Sequence, residues 1–207
     1  MTTQTTNHSS TARVPLEHSG STLARMMNFW TRRTYGQAME PMLALLHNRR
    51  VMTSIARFEM GVAKWSRLDR DLKELASLAV ASQIGCSWCV DFGYYVSRTN
   101  GMDAAKLEEV ADWRSSTVYT QLERAVLAYA EAMTATPPTV TDEMVETLRG
   151  DLDHAQIVEL TEIISVENLR SRTNSALGLT SQGFKDQCDL PQETAQETAQ
   201  KTAQTQR

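Results

Sequence analysis

The sequence predicts an all-α protein. Three observations carry that prediction. Apolar residues recur at three- and four-residue spacing through most of the chain, the period of one helix face. Strand-like alternation of apolar and polar residues is absent. Glycine is scarce, with 9 in 207 residues, which leaves few of the turn signals a β-rich chain needs.

Composition narrows the class. A hydrophobic fraction of 41% over 207 residues is enough to build the core of one domain. The net charge of -4 argues against nucleic acid as the main partner. No apolar run reaches the ~18 residues of a membrane helix, and the N-terminus lacks a charged-then-apolar signal pattern. A cytoplasmic protein that does not enter the membrane is expected.

Residues 1–21 are rich in Thr and Ser and read as a flexible leader. Residues 186–207 contain the low-complexity repeat QETAQETAQKTAQ and read as a tail. The domain is expected over 22–185. Leu23–Thr31 is expected as a short helix carrying Met26, Met27 and Trp30. Ala38–His47 places Met39, Met42, Leu43 and Leu46 on one side, and Arg50–Trp65 repeats the pattern with Met52, Ile55, Phe58, Val62 and Trp65. The methionines are read as gap-filling core residues. Asp69 is the expected N-cap of a helix ending at Gly85. The next helix spans Cys86–Arg98 and stops at Asn100-Gly101. A short helix follows from Asp103 to Val110. Gln121–Thr134 is helical until Pro137-Pro138, and Thr141–Arg149 is a short amphipathic piece. Asp153 and Gln156 form a capping box that opens a last long helix through about Ala176.

Cys86 and Cys89 carry the chemistry. Their C-x-x-C spacing places two sulfurs within one helical turn, close enough for a disulfide. A helix N-terminus supplies unpaired N–H groups and a positive dipole end, which favour thiolate. In a reducing compartment such a pair is more often catalytic or metal-binding than a structural staple. Zinc needs four ligands, and neither a second C-x-x-C nor paired histidines exist, so no metal and no cofactor are expected. Glu74 lies twelve residues before Cys86 among apolar neighbours. If the chain turns back at Gly85, Glu74 and residue 93 can face each other, and a semi-buried carboxylate can serve a thiol relay as a proton sink. Asp91 and Tyr94, within a turn of Cys89, are auxiliary candidates. Trp88 walls the site or, more simply, packs.

The stretch ELASLAVASQIGCSWCVDFGYYVSR resembles the carboxymuconolactone decarboxylase family, and within it the alkyl hydroperoxidase D branch. The family pattern is a Glu, eleven residues, then C-x-x-C-x-x-x-His. Glu74, Cys86 and Cys89 match it, and ENLRSRTNSALGLTSQGF looks like the end of the same domain. The resemblance, from about Ala38 to Phe184, implies an all-helical alkyl hydroperoxidase D-like fold in a homo-oligomer, a trimer or a dimer of trimers. It implies a thiol-dependent peroxidase acting on a hydroperoxide. Cys89 would attack, Cys86 would donate a proton and then resolve the intermediate as a disulfide, and Glu74 would join the relay. A dithiol protein or small molecule would be the reductant. The family histidine is Gly93 here. Its loss implies weaker turnover unless water fills the gap or Asp91 or Tyr94 substitutes. A non-catalytic redox sensor or interaction subunit using the same dithiol is the main alternative. A lactone decarboxylase ranks lower, because relatives with that activity lack the cysteine pair and rely on histidine-type groups.

Overall fold

The computed structural model describes residues 11–188, and all of its regular structure there is helical. Among the described residues nine α-helices follow one another: α1 (Thr22–Tyr35), α2 (Glu40–Leu45), α3 (Arg49–Val62), α4 (Arg70–Ile84), α5 (Ser87–Thr99), α6 (Ala104–Glu108), α7 (Gln121–Thr134), α8 (Asp142–Arg149) and α9 (His154–Ala176). Short 3-10 turns occur at Val110–Asp112 and Lys185–Cys188.

Helix α4 is the axis of the domain. It packs against α5, α7 and α9. Leu75, Ala76 and Val80 of α4 are fully enclosed, with Val126, Leu127 and Ala130 from α7 and Leu160 and Ile164 from α9. A helix covered on three sides must be apolar around most of its circumference. The sequence LKELASLAVASQI meets that need with alanines that let its neighbours approach.

The expected helix signals act as local chemistry dictates. The Asp69 carboxylate accepts from the N–H groups of Asp71 and Leu72 and caps α4. Thr120 with Glu123 opens α7 and Asp153 with Gln156 opens α9, each as a reciprocal capping box. Gly85 closes α4 in the left-handed conformation at φ 77°, where its own N–H and that of Cys86 both return to Ala81. Four helices differ from expectation in length: α3 ends at Val62, short of Trp65, and α6 ends at Glu108, before Val110. α1 extends to Tyr35 because Gly36, at φ 77°, is the first residue to leave the helix. α2 has six residues, since Met39 precedes it in an extended conformation and Pro41 sits in its first turn.

Residues 11–21 belong to the stretch whose composition suggests a flexible leader. Here Thr11 and Arg13 lie against the end of α9, and Pro15 and His18 bond to His47 and to the Leu43 carbonyl. Arg13 donates its backbone N–H to Leu177 and its guanidinium to the Ala176 carbonyl, and Thr11 donates to Gly178. Residues 1–10 and the ETAQ repeat lie outside the described residues.

At the other end, residues 181–185 form a strap over α5. Asp91, buried on α5, accepts the backbone N–H groups of Gln182 (2.8 Å), Phe184 (3.1 Å) and Lys185 (2.7 Å). Gln182 accepts from the Trp88 indole N–H and from the Glu40 backbone N–H, and donates to the Ala38 carbonyl. One side chain thus ties the strap, α5 and the α1–α2 connection together. Asp91→Asn removes the charge that these three N–H donors face. It is expected to cost about 2 kcal/mol, read as an earlier urea midpoint.

Candidate active site

The two cysteines meet where α4 ends and α5 begins. Gly85 and Cys86 are the whole connection, so α5 runs straight back along α4. Cys86 is the N-cap of α5, and its sulfur accepts the Cys89 backbone N–H at 3.2 Å. Cys86 and Cys89 are joined as a disulfide, with Cα atoms 5.3 Å apart. Asn174 of α9 donates its side-chain N–H to the Cys89 sulfur at 3.3 Å. Each sulfur therefore has an N–H donor in place, an environment that stabilises a thiolate once the bond is reduced.

The sulfurs differ in what they face. Cys86 is fully enclosed. Cys89 lines a cavity of about 790 Å³ between α1, α3, α4, α5 and α9. Trp88 and Phe92, stacked with ring centroids 5.0 Å apart, form the wall beside it. Five methionines line the same space, and Met27, Met39 and Met52 among them also pack against core clusters. Met27 and Trp30 of α1 cover one side of it, although Trp30 remains half exposed.

A model of the carboxymuconolactone decarboxylase family matches residues 49–132, from α3 through the cysteine pair into α7. YnjA of Escherichia coli (strain K12), an uncharacterised protein, is 39% identical over 132 residues, which cover 63% of this chain and 70% of YnjA. This chain belongs to the carboxymuconolactone decarboxylase family. Two solved structures share its alkyl hydroperoxidase D-like fold. A protein of unknown function from Agrobacterium tumefaciens, described as a candidate AhpD-type antioxidant defence protein, is 27% identical with a TM-score of 0.61 over 65% of this chain and 92% of that one. A peroxidase-related protein of AhpD core fold from Ralstonia eutropha JMP134 has a TM-score of 0.76 at 16% identity, covering 88% of this chain and 98% of that one.

Against the carboxymuconolactone decarboxylase pattern, the residues sort as follows. Glu74 lines the cavity that Cys89 lines, but the register of the α4–α5 hairpin turns it away from residue 93. Its Oε1 accepts from the Asn100 amide at 2.7 Å, seven residues beyond Gly93, while Oε2 is buried without a partner. Leu78, one turn nearer the cysteines, is what meets Gly93. A Cβ at position 93 would lie 2.9 Å from Leu78 Cδ2. The expected gap at Gly93 is therefore partly filled by leucine, and the direct facing of Glu74 and residue 93 does not occur. Asp91 is committed to the strap. Tyr94 is buried away from the cavity, its hydroxyl 3.4 Å from Glu108 and its ring under Lys185. Trp88 both walls the cavity and packs. Among the described residues no cluster of three or more His, Cys, Asp or Glu is arranged to hold a metal, and no helix is long and apolar enough to cross a membrane.

Residues that the motif does not contain complete the cavity. Leu160 and Ile164 begin the buried stripe of α9, and Glu167, Ser171 and Asn174 continue it with polar groups. Ser171 donates to Glu167 at 2.7 Å. Arg170 forms a two-pronged pair with Glu59 of α3 and reaches Glu167 at 3.4 Å. Burial pushes the Glu167 carboxyl up to about 7, against the opposing pull of Arg170 and Ser171. A buried acid poised near neutrality in a cavity makes Glu167 a candidate site residue. The sequence signals for it are the turn from apolar to polar along one helical stripe and its place at the start of the ENLRSRTNSALGLTSQGF segment.

The raised Glu167 carboxyl has a consequence for stability. An unfolded glutamate releases its proton near 4.5, whereas the folded protein keeps it to about 7. The folded state therefore binds more protons in that window, and stability falls as pH rises through it, by roughly 3 kcal/mol. Glu167→Gln should flatten this slope in urea unfolding between about pH 5 and pH 8, leaving the variant relatively more stable at the upper end.

Proposed function

We propose that the protein is a thiol-dependent oxidoreductase that reduces hydroperoxides through the Cys86/Cys89 pair. The observation that carries this proposal is the disulfide at the α5 N-terminus, with Cys89 on the wall of an apolar cavity. In the reduced protein the Cys89 thiolate attacks the peroxide. A sulfur–oxygen bond forms and the oxygen–oxygen bond breaks, so sulfur is oxidised by two electrons and the leaving alkoxide takes up a proton to depart as the alcohol. Glu167 and Glu74 are the cavity carboxyls placed to supply that proton. Glu167 is the better donor, because its carboxyl is protonated in a sizeable fraction of molecules at neutral pH. The Cys86 thiol then condenses with the Cys89 sulfenic acid, releasing water and forming the disulfide. An external dithiol returns two electrons and two protons to close the cycle.

The placement of Asn174 supports Cys89 as the attacking group. Its N–H stabilises sulfur-centred negative charge on the cavity side. Cys86, fully enclosed, is suited to resolve.

One observation favours the redox-sensor alternative. The Cys86–Cys89 turn bonds directly to the strap, through Ser87 to Ser181 and Trp88 to Gln182, so opening the disulfide would be felt at a distant surface. Peroxide consumption under excess dithiothreitol separates the two. A peroxidase consumes many equivalents, and a sensor consumes about one. Cys89→Ser should abolish consumption, whereas Cys86→Ser should still form a sulfenic acid that dimedone traps. Full turnover by Cys89→Ser would sink the proposal.

A further inference from the structure

We infer that this cavity accepts uncharged organic molecules and excludes organic anions. The inference rests on the redox proposal for the same site and names its substrate class. Its volume, about 790 Å³, lies in the range of small-molecule sites. The walls are mainly methionine and aromatic side chains, which adapt to an apolar body.

The charges decide the rest. Three cations line the cavity, and each already faces carboxylates. Arg170 is held by Glu59 and Glu167. Lys73 donates to Glu159 at 2.9 Å and to the Trp65 carbonyl. Arg70 lies 3.5 Å from Asp71 and 3.9 Å from Glu74. An incoming carboxylate or sulfonate finds no cation without a competing acid, and it would be desolvated beside Glu59 and Glu74. Neutral hydroperoxides pass this filter, and fatty-acid hydroperoxides with a free carboxylate do not.

Two fluorescent probes share one arylamine body and differ by a sulfonate: N-phenyl-1-naphthylamine and 8-anilino-1-naphthalenesulfonate. Titrated into the resting oxidised protein, the neutral probe should bind about tenfold more tightly than the anion. Ser77→Phe, which fills the cavity from α4, should remove the neutral probe's saturable signal while circular dichroism stays unchanged. Glu59→Gln, which frees the Arg170 fork, should tighten the anion by about tenfold and move the neutral probe by less than about twofold. Equal or preferential binding of the sulfonate in the wild type, or a neutral-probe signal indifferent to Ser77→Phe, overturns the inference. So does a sulfonate affinity that Glu59→Gln leaves unchanged. Binding needs no turnover, so a protein with this selectivity but no peroxide consumption would refute the peroxidase proposal alone.

Discussion

The two-residue connection Gly85-Cys86 constrains everything around it. Gly85 alone adopts the left-handed conformation there, and the N–H groups of Gly85 and Cys86 finish α4 by returning to Ala81. With no loop to spend, the chain reverses at once, and Cys86 becomes the cap of the returning helix. Both sulfurs are thereby fixed at an N-terminus, in positive potential, on a rigid hairpin. The same reversal sets the register of the two helices. Leu78 lies against Gly93, and Glu74 against Asn100. A longer connection would loosen both the sulfurs and this register.

Polar groups inside the domain serve two separate purposes. On one side of α5, Asp91 gathers three backbone N–H groups and holds the strap over Trp88 and Phe92. A carboxylate with three donors is well compensated for its burial, so its role is architectural. On the other side, Glu167, Arg170 and Asn174 face the cavity, with Ser171 bonded to Glu167 behind them. There Glu167 is poorly compensated, which is why its proton is held so firmly. Marginal compensation is costly to stability and useful to chemistry, and it occurs on the face that Cys89 shares.

The cavity itself follows from the helices that fail to close over it. α1 and α3 bring methionines and Trp30 to its rim, but Met26, Phe29 and Met60 remain well exposed. α4 is committed to α7 and α9 on its other faces. The space between is left to whatever the apolar walls and the paired charges admit.

The sequence by itself determined the helices and the position of the cysteine pair. Those features rest on local rules: periodicity, caps at Asp69 and Asp153, and stops at Gly85 and Asn100-Gly101 act within a few residues. Spacing alone was enough to bring two sulfurs together. Only the tertiary structure decided which carboxylates belong to the site. Glu74 matched a motif, yet hairpin register gave it Asn100 as a partner. Glu167, Arg170 and Asn174 come from a helix eighty residues away, and Glu59 from another. Their environment is created by packing, because burial, competing donors and shared cations exist only once distant helices meet. Asp91 shows the same limit. Its neighbour in sequence is Cys89, but its partners are backbone groups some ninety residues further on, which no local pattern can announce.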